Sequence, residues 1–303
     1  MTEIIPLGTA SAIPTRERHP SALALLRDGQ VLLFDCGEGT QMRLMEAGIK
    51  PTRISAVFIT HFHGDHYFGL MGLISTMSML KRMDPLTVVG PLGMAEVIRR
   101  VPGIEIEWLS FPLEFVELSE ALKKAVVYET DVFSVEARPI EHRTFTAGYR
   151  YEERSRPGHL DVQKAGELGI KDYVHFKTLK EGASVDLADG RRITPDMVVG
   201  PVQPGKSFAY VTDTRPCEAG RILSRRADLI YHDATFTEEH AGRAIETGHS
   251  TAREAASVAR DAGARRLLIG HFSARHTDTS RLLAEAQEVF KNTEVAEELK
   301  RYS

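Results

Sequence analysis

The sequence predicts an α/β fold that gathers polar side chains at the ends of its strands, and three observations carry that prediction. Short apolar runs of strand character alternate with longer stretches of helical spacing through the first half of the chain. The second half repeats the alternation. In both halves an apolar run stops at a histidine, as Val57-Phe58-Ile59-Thr60-His61 and again as Leu267-Leu268-Ile269-Gly270-His271.

Taken in order, residues 21–26 and 31–34 read as strands joined by a hairpin at Arg27-Asp28-Gly29-Gln30. A glycine-rich turn, Asp35-Cys36-Gly37-Glu38-Gly39-Thr40, leads into a helix over 41–48. Residues 54–60 form a buried strand, 67–81 a helix, 86–89 a strand, 93–101 a helix and 133–140 a strand. Further on, strands are predicted over 208–212, 229–232 and 267–270. A helix over 251–262 is capped by Ser250 or Thr251 and closed by Gly263, and 281–291 is a closing helix. The stretch 152–206 differs: it is rich in glycine, proline and charge, with one weak helical piece over 161–168. It reads as an inserted arm within a single domain spanning 1–303, and a segment of that length inside a compact domain is functional or disordered.

Composition narrows the function only by exclusion. The 303 residues, 42% hydrophobic and 26% charged, are long enough for a large core. The net charge of −4 gives no chain-wide sign of nucleic-acid binding, so any such surface is a local patch. Only two cysteines, Cys36 and Cys217, are present, which excludes a disulfide framework and points to a reducing compartment. No signal-like start and no bilayer-length apolar run is present, so a cytoplasmic protein without a membrane partner is expected.

The chemistry concentrates in Thr60-His61-Phe62-His63-Gly64-Asp65-His66. Imidazole suits zinc, and a carboxylate can join or bridge ions. If the strand persists, His61 and His63 point the same way, while Asp65 and His66 sit on a tight turn that Gly64 permits. Catalytic zinc takes about three protein ligands plus a water position. One loop therefore needs help from His142, Asp213 and His271, each placed just after a predicted strand. Singly, each reads equally as a hydrogen-bonded core residue or a cap; as a set they favour metal.

The pattern His-x-His-x-Asp-His, followed by a lone His, an Asp and a final His, resembles the metallo-β-lactamase superfamily over essentially the whole chain. The resemblance implies an αββα sandwich with the arm inserted. It also implies two zinc ions per subunit, with manganese an admissible alternative. Carried across, His61, His63 and His142 hold one ion, Asp65, His66 and His271 the other, and Asp213 bridges them, while Asp35 supports the loop. Further segments resemble the ribonuclease Z branch: Leu33 to Gln41, His142 followed by Tyr149-Arg150-Tyr151, Thr212-Asp213-Thr214-Arg215-Pro216, Glu246-Thr247-Gly248-His249-Ser250-Thr251, and Gly270-His271-Phe272-Ser273-Ala274-Arg275. That branch implies endonucleolytic removal of the 3′ trailer from precursor tRNA, leaving a 3′-hydroxyl. Asp65, His249 and Asp233 are then the candidate catalytic residues. His249 would serve as general acid and Asp233, where the family usually has Glu, as its partner. The arm would meet tRNA through Arg154, Arg156, Lys164, Lys171, Lys177 and Lys180, and a homodimer is expected. Departures fall in Pro14-Thr15-Arg16-Glu17-Arg18-His19, in residues 75–80 and at the arm tip, and bear on how RNA is read. Two competitors remain: a phosphodiesterase or sulfatase-like hydrolase of small substrates, and a non-catalytic RNA-binding module.

Overall fold

A computed structural model describes residues 2–303. Two mixed sheets form its framework. The first has six strands in the order Thr2–Gly8, Ala22–Arg27, Gln30–Phe34, Ile54–Phe58, Leu86–Pro91 and Leu113–Leu118. The second has seven, ordered Thr293–Val295, Leu267–Gly270, Leu229–Asp233, Ser207–Val211, Thr146–Glu153, Phe133–Ile140 and Ala125–Glu129.

Each sheet carries helices on one face, because that is where the helices bury their apolar stripes. Leu44 of helix Thr40–Glu46, Leu70, Leu73, Ile74 and Met77 of helix Gly64–Met79, and Met94 and Ile98 of helix Met94–Arg99 join one cluster with strand residues Ile5, Leu33, Val57 and Val88. Across the other sheet, Leu223, the alanines of helix Ala252–Asp261, Leu282 and Ala286 pack on Ala209, Val211, Ile230, Leu267 and Ile269. Aromatic rings fill the space between the sheets. Phe34 lies 5.0 Å from Phe58 and 5.6 Å from Tyr210, and Phe58 lies 5.4 Å from Tyr149, between ring centroids. Such pairs add about 0.5–1.5 kcal/mol each beyond area burial. The layering is αββα, as the resemblance implies.

Parallel strands dominate the site-bearing halves of both sheets: Gln30–Phe34, Ile54–Phe58 and Leu86–Pro91 in one, Ser207–Val211, Leu229–Asp233 and Leu267–Gly270 in the other. Parallel alignment sends several chain segments out at the same edge, which is where open α/β sheets place their ligands. The early hairpin is tight, with Asp28 and Gly29 both left-handed between the paired Arg27 and Gln30. Helix Ala252–Asp261 starts from a capping box in which Thr251 and Glu254 satisfy each other's backbone.

The chain divides into two compact units. The smaller contains 131–133 and 152–206. Its own core is Leu160, Ala165, Ile170, Leu179, Val185, Ile193 and Val198. The weak helix is present as Val162–Glu167, capped by Asp161. A second helix, Tyr173–Lys180, is capped by Asp172, and a short hairpin pairs Val185–Asp186 with Arg192–Ile193. The segment therefore holds more regular structure than its composition suggested, because two aspartate caps and a few spaced apolar residues suffice to nucleate it. The strands Leu113–Leu118, Ala125–Glu129 and Thr293–Val295 were likewise not predicted. They lie at sheet edges, where half-exposed side chains blur the alternation.

Candidate metal centre

The strand into the cluster, Ile54–Phe58, ends before Thr60, so His61 and His63 are loop residues and not a continued strand. Asp35 explains the stop. Its buried carboxylate accepts from the Thr60 backbone N–H at 2.8 Å, the Thr60 hydroxyl at 3.0 Å, the Tyr210 hydroxyl at 3.0 Å and His66 Nδ1 at 2.7 Å. Asp65 and His66 lie in the first turn of helix Gly64–Met79, not on a glycine turn, and Gly64 does not have positive φ. Helical placement puts the Asp65 carboxylate at the positive end of the helix. The glycine that close packing does require is Gly37: a Cβ there would stand 2.4 Å from the Asp65 carbonyl oxygen and 2.5 Å from Pro20 Cβ. This approach lets Cys36 N–H bond His66 O and Gly69 N–H bond Cys36 O.

The remaining candidates arrive from the strand ends of the second sheet. Asp213 and His271 follow strands Ser207–Val211 and Leu267–Gly270, and both take left-handed backbone, with φ of 50° and 58°. Asp35 does the same, at 56°. Non-glycine residues enter that region at a cost of order 1–3 kcal/mol and cluster at functional sites.

Asp213 organises the centre. Its Oδ1 is 3.3 Å from His66 Nε2 and 3.0 Å from His271 Nε2. Its Oδ2 is 3.5 Å from His61 Nε2 and 3.9 Å from His142 Nε2. One oxygen thus faces each histidine set. Asp65 Oδ2 lies 3.4 Å from His66 Nε2 and 3.7 Å from His271 Nε2, and accepts the Ala12 N–H at 2.8 Å. The potential ligand atoms of His61, His63, His142 and Asp213 all lie within 4.8 Å of one another, and so do those of Asp65, His66 and His271.

The protonation chemistry of this group suits a cation. The Nε2 atoms of His66, His142 and His271 are buried and make no hydrogen bond, although carboxylate oxygens are near. A buried polar atom left unpaired costs about 1–3 kcal/mol, so the arrangement asks for a partner of another kind. Outer contacts aim these atoms inward. His142 Nδ1 bonds Gly248 O at 2.8 Å, His271 Nδ1 contacts the Thr235 hydroxyl at 3.1 Å, and His66 Nδ1 faces Asp35. Burial and the charge of His66 hold His61 well below the usual histidine range, keeping its nitrogen free to ligate. Burial opposes charge at Asp213 and Asp65 as well, yet the surrounding imidazoles hold both carboxylates below their ordinary values. Nitrogen and carboxylate donors in this proportion fit a divalent ion such as zinc or manganese.

His249 adjoins the centre, its ring 5.1 Å from that of His142 and 5.2 Å from that of His271. Its Nδ1 bonds Asp233 Oδ2 at 2.9 Å. Asp233 is fully buried and also accepts from Thr214 N–H, Thr235 N–H and the Thr235 hydroxyl. Burial resists charging His249, but Asp233 overcomes it and lifts the imidazole to about 9. His249 also lies within ligating distance of Asp213 and His271. A protonated imidazole cannot ligate, so the Asp233 contact favours the proton-carrying role. Asp233→Asn removes the charge that raises His249. A group with a raised value holds its proton below that value and loses it above, so the alkaline limb of the pH–kcat profile should move to lower pH in this variant. An unmoved limb would detach His249 from proton transfer.

The centre opens into a cavity of about 370 Å³ that reaches Ile13, Phe236, Arg143, Arg243 and Arg275. Thr235 and Tyr210 were not singled out from the sequence, because each acts through a partner far along the chain, His271 and Asp35 respectively.

Two protein-family profiles match the chain: anti-Pycsar protein Apyc1 over residues 2–95 and β-lactamase superfamily domain over residues 172–272. Ribonuclease Z of Salinibacter ruber is 56% identical over 301 residues, covering 99% of this chain and 94% of the relative. The chain belongs to the ribonuclease Z family. Ribonuclease Z of Methanosarcina mazei is 42% identical over 300 residues, with 99% and 97% covered. Among solved structures, the short form of human tRNase Z matches at 27% identity and a TM-score of 0.73, with 99% and 98% covered. A metallo-β-lactamase fold protein of Bacillus subtilis shares the fold at 16% identity and a TM-score of 0.69.

Among the described residues no helix is long and apolar enough to cross a membrane. Cys36 and Cys217 are unpaired. The six arm cations Arg154, Arg156, Lys164, Lys171, Lys177 and Lys180 are all exposed. Acidic residues are interleaved with them, such as Glu181 at 3.7 Å from Lys177.

Proposed function

We propose that this chain is a cytoplasmic, zinc-dependent endoribonuclease that removes the 3′ trailer from precursor tRNA. Membership of the ribonuclease Z family supports the substrate. The observation that carries the chemistry is Asp213, which turns one oxygen to His66 and His271 and the other to His61 and His142. His61, His63 and His142 would hold one ion, Asp65, His66 and His271 a second, and Asp213 would be shared. Two such ions, when bound, acidify water and stabilise charge on a phosphoryl group.

The chain's own residues supply the rest. Asp35, Thr235 and Gly248 O fix the ring orientations of the ligands. His249, held protonated by Asp233, delivers its proton to the departing 3′ oxygen of the mature tRNA. The trailer keeps the phosphate. The arm, residues 152–206 of a single-domain chain, binds tRNA through its exposed lysines and arginines, and the active species is a homodimer.

Turnover of a 3′-extended precursor tRNA against that of bis(p-nitrophenyl) phosphate tests the reading. The proposal expects kcat/KM to favour the RNA by orders of magnitude. Comparable values would point instead to a hydrolase of small phosphodiesters or sulfates.

A further inference from the structure

Arg143 is the feature of the cavity that the chemistry above leaves unused. It follows His142 directly and stands among His63, His142 and His249. The other two cavity arginines have partners: Arg243 pairs with Glu246 at 2.8 Å, and Arg275 lies over the Phe236 ring and donates to Ser273. Among the described residues nothing accepts from the Arg143 guanidinium, and it is exposed. A cation kept beside a cationic centre is tolerable where an anion comes to bind.

A second cavity, about 490 Å³, is lined by residues next in sequence to some that line the first. Phe62 lines it while His63 lines the metal cavity, and Thr144 and Phe145 line it while Arg143 lines the metal cavity. Leu92 and Leu118 complete an apolar wall, and exposed Glu120 stands at the rim. A cation adjoining an aromatic groove is the arrangement that holds single-stranded RNA, with phosphate on the cation and base on the rings.

Resting on the tRNA-processing reading, we propose that Arg143 and the groove of Phe62 and Phe145 seat the unpaired RNA on the 3′ side of the cut. On the tRNA side only the discriminator nucleotide separates the scissile phosphate from base-paired stem, and a duplex does not fit such a groove. The trailer is unpaired throughout. Its first internal phosphate meets Arg143 and a neighbouring base enters the groove. Glu120 repels further backbone at the rim.

The test compares two precursor tRNAs, one with a single-nucleotide trailer lacking that phosphate and one with a longer trailer. Wild-type enzyme should show a lower KM on the longer trailer. In Arg143→Met and in Phe145→Ala the ratio of kcat/KM between long and short trailers should fall several-fold, through KM. Arg143→Met should also flatten the dependence of log kcat/KM on log salt by about 0.7 for the long trailer, and Arg143→Lys should restore the slope. Ratios and slope that stay at wild-type values, or equal losses on both RNAs, would overturn the trailer seat. Wild-type enzyme that cut neither RNA would overturn the tRNA-processing reading instead.

Discussion

His249→Ala should lower kcat on precursor tRNA by about 10²–10⁴-fold, the usual worth of a positioned proton donor, while the bound metal per chain stays at the wild-type level. The reasoning starts from Asp233, which is fully buried and bonded on several sides, so its carboxylate cannot turn away from His249. That contact keeps the imidazole charged up to about 9. At neutral pH the ring therefore carries the proton that the departing oxygen needs. Steady-state kinetics and elemental analysis of the same preparation decide the case. Metal lost together with activity would make His249 a ligand, which its distance from Asp213 and His271 also allows.

Asp213→Asn should have the larger effect of the two. Its oxygens face both histidine sets, so one neutralised carboxylate weakens every ion the centre holds. Affinity should fall by more than the roughly 10–100-fold that follows loss of a residue merely orienting a ligand. Activity should drop below detection at metal concentrations that saturate the wild type. Stability should report the same event. Ligand at about 100 times its dissociation constant adds about 2.7 kcal/mol to unfolding, so the wild type should melt higher with zinc than with chelator. In Asp213→Asn that difference should shrink. An Asp213→Asn protein that kept full metal content and activity would remove this residue from the centre.

The sequence exposed the site more fully than the frame around it. His61, His63, Asp65, His66, His142, Asp213 and His271 were legible because polar residues ending apolar runs are costly to bury without purpose. The structure brings all seven together. Their backbone setting was not legible. The strand into the cluster stops early because Asp35, a residue from the neighbouring strand's end, captures Thr60. Asp65 and His66 are helical because the helix begins at Gly64, sooner than the apolar spacing shows. Left-handed corners at Asp35, Asp213 and His271 follow from tertiary packing and leave no local pattern. Arg143 escaped notice since a single exposed arginine is ordinary until its neighbours are known.

Family membership makes the cut itself the most direct measurement. Precursor tRNA with a 3′ extension should be incubated with zinc-loaded protein and both products mapped at their ends. The account predicts one cut after the discriminator base, a tRNA ending in a 3′-hydroxyl, a trailer beginning with a 5′-phosphate, and no product in chelator. A ladder of shortened ends, a 2′,3′-cyclic phosphate, or cleavage that persists in chelator would contradict it.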